Sequence, residues 1–211
     1  MKNAALQPAG RAEAKTAKGR AKVQDILDVA RRLFIDGGYA EMTMRQVAEQ
    51  TGISLSNVQH YFPTRENLLQ ALLESVMESY DLEYRKNERP EIAPRGQLEA
   101  AIRYLLADTK KGESEKLFVE IWSLSTRDPI GREIFDRMYS HHRANLARLI
   151  AAAKPELAER EVQHRAALIA MQIEGLMLLI SENKPRHPEL EGVEEACVAA
   201  SMGIALRDAG T

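Results

Sequence analysis

The 211 residues are enough for one or two compact domains, each able to bury a core. With 45% hydrophobic and 28% charged residues the composition is that of a globular chain, and no stretch approaches the uninterrupted apolar run of a membrane span. A single cysteine, Cys197, excludes an internal disulfide and a multi-cysteine zinc site, and the Lys/Arg/Ala-rich start lacks the apolar core of a secretory signal, so a cytoplasmic location is expected. The net charge of −2 conceals an asymmetry: residues 1–66 carry 10 Lys/Arg against 7 Asp/Glu, and the remainder 19 against 24. A basic end on an acidic body orients a molecule towards a polyanion.

Residues 1–20 show no hydrophobic period and read as a flexible basic arm, in which Lys2, Arg11, Lys15, Lys18 and Arg20 are countered only by Glu13. From there the pattern is helical. Val23, Ile26, Leu27, Ala30, Leu33 and Phe34 form one apolar stripe, stopped by Gly37-Gly38. Two short helices follow, then a long one from Arg65 to about Arg85 with Leu69, Leu72, Leu73, Val76 and Tyr80 on one side. Pro90 and Pro94 bracket a connection to a fifth helix carrying Leu98, Ile102 and Leu105. A sixth is expected over about Ser114–Ser125, and a seventh opens at Asp128-Pro129 and closes at Lys154-Pro155. An eighth spans about Leu157–Ser181 and a ninth about Glu189–Arg207. No segment alternates as a strand does, so the fold class is all-α with about nine helices.

The segment from Thr43 to Phe62 carries the function. Thr43 with Gln46 three residues on is a capping box that opens a short helix. Thr51-Gly52 ends it after about two turns, Ile53 plugs the corner, and Ser54 caps the next helix. Two short helices joined by a tight glycine turn are a helix-turn-helix. On the second, Val58 and Phe62 anchor the inner side, while Ser54, Ser56, Asn57, Gln59, His60 and Tyr61 offer polar groups to base edges and phosphates.

The stretch from Ile26 to Leu73 closely resembles the DNA-binding domain of the TetR family of one-component regulators. The matching residues are Ile26-Leu27-x-x-Ala30, Leu33-Phe34-x-x-x-Gly37-x-Tyr39, Thr43-x-x-x-Val47-Ala48, Gly52-Ile53-Ser54 and His60-Tyr61-Phe62-x-Thr64-Arg65-Glu66-x-Leu68-Leu69. The resemblance implies that Thr43, Tyr61 and Arg65, beside Thr64, hold phosphates. It also implies that Arg45, Asn57, Gln59 and His60 face the groove. The chain departs from the family at Gln59, where an aromatic is usual, and at Leu55, where a lysine or other polar residue is common. Phe34, Tyr39 and Phe62 are expected in the core.

The resemblance further implies an arm (1–20), a DNA-binding domain (21–68) and an effector-binding and dimerisation domain (69–211). Candidate effector-lining residues are Tyr104, Phe118, Trp122, Phe135, Met138, His142, Met171 and Glu174. The eighth helix is apolar on more than one side through Leu168, Met171, Gly175, Leu178 and Leu179. The ninth carries small residues at Ala196, Ala199, Ala200 and Gly203. Such helices need a second partner, and a two-fold homodimer supplies it. The expected protein is a repressor, released from a pseudo-palindromic double-stranded operator by a small apolar or amphipathic effector, without cofactor, metal, catalytic residue or membrane partner. Two alternatives stand beside it: a helical ligand- or protein-binding module without specific DNA recognition, and a small enzyme using His142, His164 and Glu174. Adjacent His141 and His142 point about 100° apart on a helix and do not share an ion readily. Deleting the basic arm is expected to lower DNA affinity and flatten its salt dependence.

Overall fold

The computed structural model describes residues 16–208, and within them the chain is helical, with connecting turns and one 3-10 turn at Pro188–Leu190. The helices are α1 (Ala17–Glu41), α2 (Met44–Thr51), α3 (Leu55–Tyr61), α4 (Arg65–Asn87), α5 (Pro94–Thr109), α6 (Gly112–Arg127), α7 (Pro129–Ala153), α8 (Glu159–Ile180) and α9 (Val193–Leu206). The all-α class and the helix order follow the hydrophobic pattern.

Three boundaries differ from the pattern, each for a local reason. Helix α1 begins at Ala17, inside the stretch assigned to the arm, because the Thr16 hydroxyl accepts the Gly19 N–H at 3.1 Å and caps it. The rest of that arm, residues 1–15, lies outside the described residues. The Gly37-Gly38 stop acts through Gly38 alone: its φ of 73° and ψ of −177° interrupt α1, which resumes for one further turn. The ninth helix starts at Val193 instead of Glu189, since Gly192 adopts a left-handed conformation (φ 75°) that no α-helix accommodates and leaves Pro188–Leu190 as a separate turn.

The chain divides into two compact units. The first holds the described part of Met1–Glu78 with Val119–Phe135, and the second holds Ser79–Phe118 with the chain from Asp136 onward. The boundary expected between residues 68 and 69 therefore falls within α4. Residues 119–135 belong with the DNA-binding elements because Glu120 of α6 accepts the Tyr39 N–H at 2.8 Å. Gly38 leaves room for that carboxylate, since a Cβ there would lie 2.8 Å from Glu120 Oε1.

In the first unit α1 packs on α2 and α2 on α3. Their apolar faces meet through Ile26, Ala30, Phe34, Met42, Val47, Val58 and Phe62, all fully buried. In the second unit α5, α8 and α9 pack together, with Leu98, Ile102, Ile169, Ile173, Val198 and Ala205 in the core. Buried Arg165 of α8 closes the end of α9. Its Nη1 donates to the carbonyls of Ala205 (3.1 Å) and Arg207 (2.6 Å), and its Nε to Glu161 (2.8 Å). A cation there satisfies carbonyls that a helix C-terminus leaves unpaired.

Candidate DNA interface and effector site

The helix-turn-helix is set by its caps. Thr43 Oγ1 accepts the Gln46 N–H at 3.2 Å, and the Thr43 N–H donates back to Gln46 Oε1 at 3.3 Å, so both halves of the capping box form. Gly52 takes the left-handed conformation (φ 66°) that closes α2, and the Ile53 N–H returns to the Ala48 carbonyl at 3.1 Å. Ser54 Oγ then accepts the Asn57 N–H at 3.2 Å to open α3. Val58 and Phe62 are fully buried, which fixes the rotation of α3 about its axis. Ser54, Ser56, Asn57, Gln59 and His60 are thereby left exposed, as is Arg45 on α2. The half-buried Tyr61 ring lies edge-on to His60, with centroids 5.2 Å apart.

Besides Thr43, which caps α2, two of the residues matched to phosphate contacts have structural work already. The Thr64 hydroxyl accepts the Asn67 N–H at 3.2 Å at the start of α4. The Arg65 guanidinium stacks on the Tyr39 ring at 3.7 Å and donates from Nη2 to the Tyr39 carbonyl, while its Nε is buried without a partner. Phe34 and Phe62 are core as expected, whereas Tyr39 is half-buried beneath this guanidinium. Burial pushes the Tyr39 hydroxyl pKa up, and the positive charge of Arg65 opposes that push.

In the second unit the candidate effector residues Tyr104, Phe118, His142 and Glu174 assemble with four that the hydrophobic pattern hid: Tyr80, Tyr84, Asp108 and Tyr139. The Tyr80 hydroxyl donates to Asp108, a buried carboxylate that also accepts from Ser114 at 3.0 Å and Lys111 at 2.8 Å. The Tyr80 ring meets Tyr104 and Phe118 at centroid distances of 6.1 and 6.2 Å. The Tyr139 hydroxyl donates to Glu174 Oε2 at 2.9 Å, and the Tyr139 ring stands at 90° to His142. His142 Nδ1 lies 3.3 Å from the Tyr84 hydroxyl, while its Nε2 is buried without a partner.

Burial dominates the electrostatics here. It raises the Glu174 carboxyl to about 7, helped by the negative Asp108 and opposed by the Tyr139 donor. It lowers His142 to about 4, with Arg143 and His141 adding repulsion, so this imidazole is neutral at physiological pH. Burial and Asp108 push Tyr80 up, and the same two causes bring Tyr104 to about 12. Tyrosine rings clustered near a largely buried carboxyl that accepts the Tyr139 hydroxyl are groups able to take a bulky organic cation.

The remaining candidates separate. Met138 is buried core, and Trp122 and Phe135 lie in the first unit. Met171 is 64% exposed, on a side of α8 turned away from the one that buries Ala170 and Ile173 and apart from the tyrosine cluster. It forms an exposed apolar stripe with Gly175, Leu178 and Leu179, beside half-buried Leu168. On α9, Ala196, Ala199, Ala200 and Gly203 form an exposed stripe of small residues. His141 and His142 diverge as their spacing requires: His141 Nε2 meets Asp81 at 2.7 Å, and His142 meets Tyr84. His164 is exposed, and no group of three His, Cys, Asp or Glu among the described residues converges as metal ligands would. No described helix is long and apolar enough to cross a membrane.

Two short capped helices with a buried inner side and a polar outer face define a helix-turn-helix DNA-binding protein. Residues 26–72 match the bacterial regulatory proteins of the tetR family, and residues 94–201 match the C-terminal part of BetI-type transcriptional repressors. A helix-turn-helix regulator from the dhlA 5′ region of Xanthobacter autotrophicus is 34% identical over 164 residues, covering 75% of this chain and 79% of that relative. The regulator BetI of Burkholderia thailandensis is 29% identical over 159 residues, covering 72% and 78%. Among solved structures, a transcriptional regulator from Pseudomonas aeruginosa superposes with a TM-score of 0.73 at 15% identity over 94% of this chain and 99% of its own. A regulator from Saccharomonospora viridis, solved in complex with choline, superposes with a TM-score of 0.67 at 16% identity over 84% and 94%. The chain belongs to the TetR family of bacterial transcriptional regulators. It is a DNA-binding regulator, not an enzyme.

Proposed function

We propose that the protein is a cytoplasmic homodimeric repressor whose two α3 helices enter successive major grooves of a pseudo-palindromic operator, and that an amphipathic organic cation releases it. The exposed polar face of α3, rigidly oriented by Val58 and Phe62, carries the DNA part of the reading. Arg45, Asn57, Gln59 and His60 are the base-edge readers, where Asn and Gln pair with adenine and Arg with guanine. Thr43, Ser54, Ser56, Tyr61 and Thr64 are placed for backbone contacts, with Arg65 contributing what Tyr39 leaves free. The exposed stripes on α8 and α9 support dimerisation through the last two helices. Selection of bound sequences from a random duplex library tests the reading, beside an Arg45→Ala/Gln59→Ala control. A pseudo-palindrome that disappears in the control is the expected result. No enriched sequence from a folded dimer would leave the chain a helical binding module.

The narrowing of an apolar or amphipathic effector to a cation rests on Glu174 among tyrosines, and the choline held by the Saccharomonospora viridis protein supports it. Titration calorimetry with choline tests it directly. Choline is expected to bind and to lower operator affinity, and Glu174→Gln is expected to weaken choline binding roughly tenfold or more, about 1.4 kcal/mol. Tight binding of neutral amphiphiles with indifference to choline would sink the cation.

A further inference from the structure

The first unit holds a cleft of which the helix-turn-helix reading uses only the α3 wall. Thr16, Lys18, Gly19 and Lys22 of the α1 start form one wall, and Ile53 with Asn57, His60 and Tyr61 of α3 form the other, around an open space of ≈ 280 Å³. Residues 17–25 precede the part of the chain that matches the family's DNA-binding region, which begins at residue 26. They add more than two helical turns, and these turns bring two lysines to the side of the recognition helix. Lys18 is exposed. Lys22 pairs with Asp25 at 3.2 Å, but both partners are substantially exposed, and such an i,i+3 pair exchanges readily for a stronger anion.

We propose that this cleft is a second backbone-contact site, in which Lys18 and Lys22 grip an operator phosphate flanking the bases read by α3. This rests on the operator-binding reading above. The opposite wall commits the cleft to DNA. Asn57, His60 and Tyr61 follow at i, i+3 and i+4 on the helix proposed to lie in the major groove, so a phosphate entering between them and the lysines belongs to the same duplex. An open, basic cleft suits one edge of a polymer better than an engulfed ligand. Paired lysines supply charge without a directional code, so the contact strengthens binding and fixes the placement of α3 without reading sequence. Asp25 is the negative group that the arriving phosphate displaces from Lys22.

The test uses the full chain and the duplex that it selects. Each phosphate contact contributes about 0.9 to the slope of log affinity against log salt, so a symmetric dimer loses about 1.8 when both copies of the cleft are emptied. Lys18→Ala/Lys22→Ala is expected to flatten the slope by that amount, to preserve the ranking of operator variants, and to remove one ethylation-sensitive phosphate from each half-site. An unchanged slope and ethylation pattern would overturn the inference while leaving operator recognition intact. A changed ranking would overturn it too, by making the lysines base readers. Failure of the unaltered protein to select any duplex overturns the operator reading and this contact together. Inorganic phosphate, titrated against the His60 and lysine resonances, separates a free-ion site from a DNA contact. Saturation that depends on the lysines but is not displaced by operator would mean an ion site and overturn the proposal.

Discussion

Glu174 shows how one largely buried carboxyl ties stability to pH. Its folded pKa of about 7 lies above the ordinary carboxyl value of 4.5, chiefly through burial. Between those two values the unfolded chain has already lost the proton that the folded chain keeps, so this residue makes stability fall as pH rises, by about 3 kcal/mol at most. His142, held neutral down to about 4, acts in the opposite sense: its contribution is present above the ordinary histidine value of 6.5 and is lost as pH falls towards 4. The two slopes oppose each other over most of the weakly acidic range. Glu174→Gln is therefore expected to gain stability relative to the parent at pH 7.5 but not at pH 4, measured by urea melts at fixed protein concentration. An equal difference at both pH values would mean that folding leaves the Glu174 pKa at its ordinary value. Binding of a permanent cation has its own sign. The bound state favours the carboxylate, so choline affinity is expected to rise as pH increases through 7 and to level off above it, and Glu174→Gln is expected to abolish that dependence.

At the scale of helices, what was legible in the sequence was what local chemistry decides. Capping residues, glycine stops and 3.6-residue stripes placed α2, α3 and the start of α7, where Asp128 accepts the N–H groups of Ile130 and Gly131 at 2.9 Å, as the Asp128-Pro129 pair announced. Features that depend on distant partners left no such mark. Tyr80 and Tyr84 look like ordinary positions on the apolar side of α4, and only the folded chain joins them to Asp108 and His142. Glu120 is one charge among many on α6 until its bond to Tyr39 draws it into the first unit. Met171 stands in both the effector and the dimer sets of the sequence reading, and only the folded chain shows that it is exposed. Arg165 belongs to the same hidden class, reading as a surface charge yet lying buried against the end of α9. Arg165→Met keeps an unbranched apolar stem, two atoms shorter, and removes the donors, leaving two carbonyls without their partner. Charged hydrogen bonds of this kind contribute about 1.5–3 kcal/mol each, so a loss of roughly 2–4 kcal/mol is expected in denaturant melts, with amide exchange accelerating first along α9. Uniform acceleration across all helices would place the role of Arg165 outside that cap.

For the molecule as a whole, recognition of a two-fold operator requires two heads held at one spacing, and a single recognition helix of seven residues presents too few readers to select a site alone. The stripe of Met171, Gly175, Leu178 and Leu179 has the properties such a spacing device needs. It is apolar and exposed on a helix whose other side is core, and nothing lies within 4 Å of where a Cβ would sit at Gly175, or at Gly203 on α9. A self-complementary interface uses the same patch twice, so a single substitution introduces two charges into it. Leu178→Glu is accordingly expected to give a folded monomer by sedimentation at micromolar concentration, because Leu178 is already 49% exposed and its replacement costs the subunit itself little. The monomer should retain weak, salt-sensitive binding to any duplex while losing the pseudo-palindromic operator, since phosphate contacts survive and the paired readout does not. Replacing Val119, at 41% exposure a comparable apolar surface residue of the first unit, by glutamate should leave the dimer intact. A Leu178→Glu protein that remained dimeric and operator-specific would remove α8 from the interface and with it the proposed route by which the two heads are held apart.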